Sequence, residues 1–359
     1  MGKQYKLDTD LRILHNGKNE LRIRMGLWNY NEATISLNDF SDNLKEALVK
    51  TVSLMKEKDG FNLDNLKDLN LNNDDLDNLK NLISELENAG MIYEKGNLDL
   101  KERINQILLG DMTQVFTEED RKHREVLFVT DCAYSEKLCK DLCNEMNLKI
   151  NIQGSDLIEE FSNIDAVTNI DALKTLDSVN VIKERIKDFD SVVILMTHIN
   201  MSALRNLNRT IIELNKPVVV GMIDGPFITV FSVTPPATGC IECYEQRILA
   251  RLEDHYLYNK YVKNDFVNKS AVNPSKILLS SMLTNLLLSE SLLLSSLGAT
   301  KFEGRVLSIF IPTLEIQVQD ILRVPYCPAC GHISKSKFEE MNVKSRVIID
   351  EIIKDIKER

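Results

Sequence analysis

Two Cys-x-x-Cys pairs are the residues whose type and spacing most directly predict chemistry in this chain. Cys240 and Cys243 lie in PATGCIECYEQR, and Cys327 and Cys330 lie about 80 residues later in VPYCPACGH. Two such pairs supply the four thiolates of a tetrahedral structural zinc site. A redox motif would account for one pair but not for two. We therefore expect structural Zn2+, with His332 as an alternative ligand that the pattern does not require.

The elements around the pairs must bring the four sulfurs to one point. Turn-forming residues flank both pairs: Pro235, Pro236 and Gly239 at the first, and Pro325, Pro328 and Gly331 at the second. Turns of this kind let both sulfurs of a pair face one ion. We expect the metal to join the end of an α/β domain to strands near the C-terminus.

Composition limits the classes of function. The chain has 359 residues, a formal net charge of -10 and a pI near 5.2. Its length suits two or three domains, and its acidity argues against nucleic-acid or anionic-membrane partners. Seven cysteines without a signal peptide predict a cytoplasmic protein. The cysteines outside the pairs, Cys132, Cys139 and Cys143, are expected to be buried thiols.

The apolar stretch 277–298 has the length of a membrane span. Asn285, Glu290 and six serines interrupt it. We therefore expect a buried core helix and no membrane partner.

The first hundred residues predict a small winged-helix-like α+β module over residues 1–96. Strands are expected at 11–14, 21–25, 33–37 and 91–93, with an Asn16-Gly17 hairpin between the first two. Helices are expected from an N-cap at Ser41, in a short segment carrying Leu63, Leu66 and Leu69, and from Asn73 or Asp74 to Ala89-Gly90.

The third of these helices argues against DNA as the partner of the module. It carries Asp74, Asp75, Asp77, Glu85 and Glu87 against Lys80 alone, and a phosphate backbone would repel it. We expect instead a peptide that adds to an exposed strand and packs against this helix, while a purely structural module is the alternative. The expected peptide-binding residues are Thr34, Ile35, Ser36, Leu37, Leu79, Leu82, Ile83 and Leu86.

A helical connector at 97–124, broken at Gly110-Asp111, leads to an α/β domain over residues 125–333. Continuous apolar runs predict parallel strands buried on both faces, with helices between them. The expected elements are strands 126–130, 149–152, 191–196 and 218–222, and helices 135–146 and 203–214. No Gly-rich turn follows the first strand, which continues as DCAYSEK, so the usual phosphate-binding loop is missing.

Several of these segments resemble one family. FDSVVILMTHINMSALRNLNRTIIELNKPVVVGMIDG is similar to the second half of a ThiF/MoeB-type, ubiquitin-activating-like domain, and both Cys-x-x-Cys segments resemble the zinc pairs of that superfamily. Within it, the chain resembles the C proteins of thiazole/oxazole-modified peptide (azole-forming) systems, of the SagC and McbB type. That resemblance implies a leader-peptide recognition module followed by a degenerate, Rossmann-type activating domain with a four-cysteine zinc site.

The resemblance also shows where the chain departs from activating enzymes. Their T-D-N run, whose aspartate helps hold ATP and magnesium, corresponds here to Thr197-His198-Ile199-Asn200. The NLNR run at 206–209 looks like an adenylation motif but is displaced from that motif's place after the second strand. We therefore expect no nucleotide on this chain. His198 is interpreted as a hydrogen-bonded histidine, with a catalytic base as the alternative.

The C-terminal third predicts one helix from Cys243 through Arg247 and Arg251 toward Tyr261. Its tyrosines at 256, 258 and 261 line a groove or lie on a half-buried surface helix. Strands follow at 305–311 and 315–319, and an amphipathic helix is expected within 334–359. The family resemblance implies a homodimer formed through this third.

By that resemblance, the chain is a noncatalytic, leader-peptide-binding scaffold subunit of a cyclodehydratase. It would deliver a ribosomally made precursor peptide to a YcaO-type ATP-dependent partner that closes thiazoline or oxazoline rings, and a flavin-dependent dehydrogenase would oxidise them. The main alternative is an active ATP-dependent adenylyltransferase of the ThiF/MccB type that acts on a peptide C-terminus. A winged-helix transcriptional regulator is a third possibility, which the acidic helix disfavours.

Overall fold

The computed structural model describes residues 4–7, 11–17, 19–28, 32–38, 40–56, 60–62, 71–89, 91–94, 100–117, 120–164, 172–263 and 274–331. It divides into two compact units, Met1–Ile104 and Asn105–Arg359. The segment with Leu63, Leu66 and Leu69, the alternative ligand His332 and the expected helix within 334–359 lie outside the described residues.

The described part of the first unit contains two small sheets and the helices α1 (Asp42–Met55) and α2 (Asn73–Asn88). Strands β1 (Tyr5–Leu7) and β5 (Ile92–Glu94) pair antiparallel, and β2 (Leu11–Asn16), β3 (Glu20–Met25) and β4 (Glu32–Ser36) form an antiparallel sheet in that order. The expected hairpin at Asn16-Gly17 is present, and Gly17 takes the positive φ that its turn needs. Strand β1, which the sequence pattern did not reveal, pairs with the expected closing strand.

Side-chain caps explain where the two helices begin. The Ser41 hydroxyl accepts a hydrogen bond from Leu44 N at 3.1 Å, as an N-cap does, and it donates to Asp75 Oδ2 at 2.9 Å. The Asn72 side chain caps α2 by accepting from Asp75 N at 2.6 Å. The apolar faces of both helices share one core with side chains of β1, β3, β4 and β5.

The second unit is built on a seven-stranded sheet in the order β12-β11-β10-β9-β8-β6-β7. Its strands are β6 (Val126–Thr130), β7 (Asn151–Gln153), β8 (Ser191–Met196), β9 (Val218–Asp224), β10 (Phe227–Val233), β11 (Arg305–Phe310) and β12 (Glu315–Asp320). Strands β7, β6, β8 and β9 run parallel, and β9 to β12 run antiparallel. Strand β10 was not expected, although Asp224-Gly225-Pro226 between it and β9 is a turn signal, and Gly225 takes a positive φ there.

Helices cover both faces of this sheet. They are α4 (Ala133–Glu145), α5 (Ser155–Ser162), α6 (Ala172–Ile186), α7 (Met201–Leu214), α8 (Ile241–Leu249), α9 (His255–Lys263) and α10 (Ile277–Leu297), after the connector helix α3 (Leu100–Leu109) and a 3-10 turn at Gly110–Val115. The acidic stretch between β7 and β8 thus contains α5 and α6, which the sequence reading did not assign. Cores lie on the α5–α7 face and on the α4–α10 face of the sheet.

Helix α10 is long and apolar enough to cross a membrane by length and composition alone, but more than half of its apolar stretch is buried within the protein. Its Leu283 and Leu287 pack on the sheet in the α4–α10 core. They approach β9 so closely that a Cβ at Gly221 would lie 2.6 Å from Leu287 Cδ1. The helix therefore serves as a core helix, as expected.

The single helix expected from Cys243 toward Tyr261 was wrong, because α8 ends at Leu249 and α9 begins at His255. The Asp254 carboxylate accepts hydrogen bonds from Tyr256 N at 2.9 Å and Leu257 N at 3.0 Å, and so caps a new helix. Tyr256 and Tyr261 are exposed on it.

Candidate functional site

The four cysteines of the two pairs meet in the second unit. Their sulfurs all lie within 4.8 Å of one another, and all four residues are buried. The sulfur separations are 3.7 Å for Cys240–Cys243, 3.6 Å for Cys240–Cys327 and 3.4 Å for Cys243–Cys330. A tetrahedral ion bonded at about 2.3 Å places its sulfurs about 3.8 Å apart, whereas a disulfide needs about 2.05 Å. The cluster can therefore hold a metal ion.

Local structure directs each pair of sulfurs inward. Cys240 is the N-cap of α8, so the helix dipole favours a thiolate there, and Cys243 lies one turn later on the same face. The second pair lies in a tight turn closed by a hydrogen bond from Gly331 N to Cys327 O at 3.0 Å. A Cβ at Gly331 would lie only 2.5 Å from Cys327 O, so this turn requires glycine.

Hydrogen bonds among the thiols favour the thiolate form of Cys330. The contact with Cys240 is the main cause that lowers the pKa of Cys330, to about 7. The thiols outside the cluster behave in the opposite way. Burial raises the pKa of Cys139 to about 12 and that of Cys143 to about 11, so these two remain protonated, as the sequence reading expected of buried thiols.

The NLNR run on α7 has a structural role that the sequence reading missed. Asn208 donates from Nδ2 to Cys240 Sγ at 3.6 Å and to Glu242 Oε1 at 3.0 Å, and it accepts from Ile241 N at 3.1 Å. Arg209 donates to Glu242 Oε2 at 3.1 Å and to Pro328 O at 2.6 Å. These two residues therefore hold both cysteine pairs against α7.

A cavity of about 750 Å³ lies at the carboxyl ends of the parallel strands. It is the place where a sheet of this topology binds a nucleotide or another ligand. Asp131 follows β6, Thr197 and His198 follow β8, and Asp224 ends β9. No glycine-rich loop follows β6 at this edge, as the sequence shows.

The carboxylate of Asp131 accepts hydrogen bonds from the donor groups at this edge of the sheet. It accepts from Thr197 N at 2.8 Å and His198 N at 2.9 Å, and from the Thr197 hydroxyl at 3.2 Å. Free backbone N–H groups at such a position are the usual means of binding phosphate. A carboxylate that already fills them would also repel a polyphosphate.

The charged residues of the cavity are unsuited to phosphate as well. Among its described lining residues, Lys276 is the only lysine or arginine, against the carboxylates of Asp131, Glu159, Asp224 and Glu245. Arg205 lies nearby but is engaged by the buried Glu245, with nitrogen–oxygen distances of 2.5 and 3.0 Å. This hydrogen bond is the main cause that raises the pKa of Arg205.

His198 is one of the residues that line this cavity. Its ring is 44 % exposed, its Nδ1 lies 3.2 Å from the Thr197 hydroxyl, and the Asp131 carboxylate is 3.8 Å away. The ring is therefore a hydrogen-bonded surface group.

The expected peptide-binding residues lie in the first unit and differ in burial. Thr34 and Ser36 are exposed on β4, and Leu82 is half-buried on α2. The others have their side chains in the core of the unit: Ile35, Leu37, Leu79, Ile83 and Leu86. These buried side chains position β4 and α2. The part of the expected peptide-binding set that a peptide can reach is the main chain of β4 together with Thr34, Ser36 and Leu82.

The register of the small sheet identifies which main-chain groups of β4 are free. Among the described residues, strand β4 pairs only with β3 and lies at the edge of the sheet. Leu37 N donates to Asn19 O at 2.7 Å, in register with the Ile35–Leu21 and Ala33–Ile23 pairs. Because hydrogen-bonded and non-hydrogen-bonded pairs alternate in an antiparallel sheet, the N–H and C=O groups of Thr34 and Ser36 point outward from the edge.

No family model and no curated protein matches this sequence. Among solved structures, the heterocyclase TruD matches with a TM-score of 0.57 and 14% identity over 92% of this chain and 43% of that one. A heterocyclase in complex with substrate and cofactor matches with a TM-score of 0.55 and 10% identity over 92% of this chain and 39% of the other. Escherichia coli MccB has a TM-score of 0.47 at 14% identity, which is too low to bear on the fold.

The chain therefore spans about two-fifths of the length of the heterocyclases that it matches. At these identities the similarity concerns the fold alone. The chain has the fold of the matching part of two heterocyclases, with a buried four-cysteine cluster that could hold a metal ion.

Proposed function

We propose that this chain is the leader-peptide-binding scaffold subunit of a cyclodehydratase that forms azoline rings in a ribosomally made peptide. The observation that carries the proposal is the fold shared with two heterocyclases over 92% of the chain, together with an Asp131 carboxylate where a nucleotide phosphate would bind. The chain supplies peptide recognition, and a YcaO-type partner supplies the ATP-dependent ring closure. A flavin-dependent dehydrogenase acts afterwards, and the complex works in the cytoplasm.

The peptide-binding role is assigned to the winged-helix-like module, residues 1–96. The outward N–H and C=O groups of Thr34 and Ser36 form an edge to which an extended peptide adds by main-chain hydrogen bonds. Leu82 is the partly exposed apolar contact on α2 for one peptide side chain. The many carboxylates of α2 favour a peptide over nucleic acid.

The four cysteines, in this proposal, hold one structural Zn2+. All four ligand positions are thiols, so no position is open for water or substrate, as in structural rather than catalytic zinc sites. A bound zinc ion would cross-link α8 to the chain after β12. Asn208 and Arg209 orient the two pairs toward it.

The delivery role is tested by reconstitution with a YcaO-type partner and a precursor peptide that carries Cys, Ser or Thr residues behind a leader. We expect ring formation, followed as loss of about 18 Da per ring by mass spectrometry, to rise at least 10-fold when this chain is added. The increase should vanish for a precursor without its leader. Equal rates with and without this chain would contradict the proposal, as would equal stimulation of the leaderless peptide.

A further inference from the structure

The cavity at the carboxyl ends of the parallel strands has the size and lining of a small-molecule site. Its volume of about 750 Å³ lies within the range of ligand pockets, which are about 300–1,000 Å³ and mostly apolar with a few polar groups. Its apolar and aromatic lining includes Leu204, Met222, Phe231, Tyr244, Tyr258 and Tyr261. Since a nucleotide is disfavoured here, the polar groups of the cavity indicate which other class of ligand it suits.

Two hydroxyl groups line this cavity without a hydrogen-bond partner among the described residues. One belongs to Thr229 of β10, which lies opposite Met222 and two residues before Phe231. Both of those apolar side chains are buried on the α5–α7 face of the sheet, so Thr229 turns its side chain to the same face. Thr229 is only 8% exposed, and its hydroxyl bonds to no part of the chain that the structure describes.

The second hydroxyl, that of Ser280, comes from helix α10. Ser280 lies one turn after Lys276, lines the cavity and is 1% exposed. Its hydroxyl likewise makes no hydrogen bond within the described ranges. A buried hydroxyl without a partner destabilises the folded chain, and a ligand that hydrogen-bonds to it recovers part of that loss.

Asp224 gives the cavity a carboxylate that no described residue neutralises. It lies two residues after Met222 on β9, so its side chain is on the same face of the sheet as that of Thr229. Diagonal neighbours on adjacent strands are roughly 7–8 Å apart, close enough for one ligand group to contact both. Asp224 is exposed, and it makes neither a hydrogen bond nor an ion pair with the described residues.

The net charge of the whole lining has the same sign. Lys276 is the only lysine or arginine among the described lining residues, which carry four carboxylates: Asp131, Glu159, Asp224 and Glu245. Arg205 offsets Glu245 through their ion pair. The remaining excess of carboxylates repels anions and attracts a cation, and the faces of tyrosine rings also stabilise a cation.

We propose that this cavity binds an organic cation, namely an ammonium or guanidinium group on an apolar body. Asp224 is the ion-pair partner of the cation, and the Thr229 hydroxyl accepts a hydrogen bond from it. The Ser280 hydroxyl is available to a second polar group of the ligand, and the aromatic rings contact its apolar body. A free amine and a lysine or arginine side chain of a peptide share this chemistry. The site does not use the β4 edge, so its failure would leave the proposed leader-peptide binding untouched.

Dansylcadaverine tests the site on the full, metal-loaded chain, because it carries a primary ammonium on a fluorescent body whose emission rises in apolar surroundings. N-pentyl dansylamide has the same body and chain length without the charge. We expect the amine to bind at least about 10-fold more tightly than this neutral analogue, as a charge-assisted hydrogen bond provides. Asp224→Asn should reduce that preference to less than about threefold without changing thermal stability, because Asp224 is exposed.

Asp320→Asn is the matched control for the loss of one charge. Asp320 is also exposed at the end of a strand, but it pairs with Arg305 at the opposite end of the sheet from Asp224. This variant should keep the preference for the amine within about twofold. Equal affinity for the amine and the neutral analogue, tighter binding of dansyl-6-aminohexanoate, or equal losses in the two variants would each overturn the proposal.

Displacement of the bound probe identifies the source of the cation. The competitors are n-hexylamine, a free amine, and acetyl-Gly-Gly-Lys-Gly-Gly-amide, which presents its ammonium on a peptide. Displacement by hexylamine alone supports a free amine as the ligand, and displacement by the peptide as well supports a lysine side chain. Displacement by neither competitor would show that the probe binds through its dansyl body and would overturn the proposal.

Discussion

Removal of the metal should unfold part of the second unit while the first unit continues to bind peptide. We expect Cys243→Ser, or prolonged chelation, to lower the free energy of unfolding of the second unit by several kcal/mol, because binding energy at a structural zinc site is folding energy. The loss should be large because the cluster, with Asn208 and Arg209, joins α7, α8 and the chain after β12. Thermal unfolding with and without chelator, together with zinc content by mass spectrometry, measures this effect.

Two variants provide comparisons for that result. Cys143→Ala removes a buried thiol that lies outside the cluster, and should keep one zinc per chain at a cost of about 1 kcal/mol. Asn208→Ala should keep the zinc but weaken its affinity about 10- to 100-fold, as loss of a group that orients a ligand does. A well-folded, zinc-free Cys243→Ser chain that lost only turnover of the complex would contradict a structural role and assign the cluster a catalytic one.

The second large effect is expected at the open edge of β4. Thr34→Pro removes an outward N–H and places a ring against the incoming peptide, so we expect leader-peptide affinity to fall at least 10-fold, or about 1.4 kcal/mol or more. Fluorescence anisotropy with a labelled synthetic leader measures the dissociation constant. Leu82→Ala should also weaken binding, by a smaller factor, since only part of that side chain is exposed.

The opposite edge of the same sheet provides a matched control. The pairing of β2 with β3 continues the alternation, so the exposed His15 also directs its N–H outward, away from β3. His15→Pro therefore imposes the same backbone change on an edge strand and should leave peptide affinity within about twofold. Equal losses for both variants would show that proline acts through the fold, and unchanged affinity of Thr34→Pro would exclude β4 as the binding edge.

Features that depend on nearby residues were predicted from the sequence. The spacing of four cysteines predicted a cluster that the structure forms, because a metal site needs few residue types in a narrow arrangement. Ser41 predicted a helix start, since a cap acts over three residues. The buried strands β6 and β8 were predicted to the residue, because long apolar runs between polar turns are distinctive.

Features that depend on distant contacts were missed. Asn208 and Arg209 act on residues more than 30 positions away, and nothing in the local pattern of α7 shows it. Two local signals were also overlooked, the turn residues Asp224-Gly225-Pro226 before β10 and the cap at Asp254 within a helix-like period. For β4, the alternation Thr34-Ile35-Ser36-Leu37 could have separated exposed from buried positions, because side chains of a strand alternate between its faces.

We propose that the cavity of the second unit does not bind nucleotide. A calorimetric titration of the metal-loaded chain with ATP and magnesium tests it most directly. We predict no saturable heat up to millimolar ATP, since Asp131 fills the N–H groups of Thr197 and His198 and Lys276 is the only lysine or arginine among the described residues that line the cavity. Saturable ATP binding that is lost on Asp131→Ala or Thr197→Ala would contradict the account and favour an active adenylating enzyme.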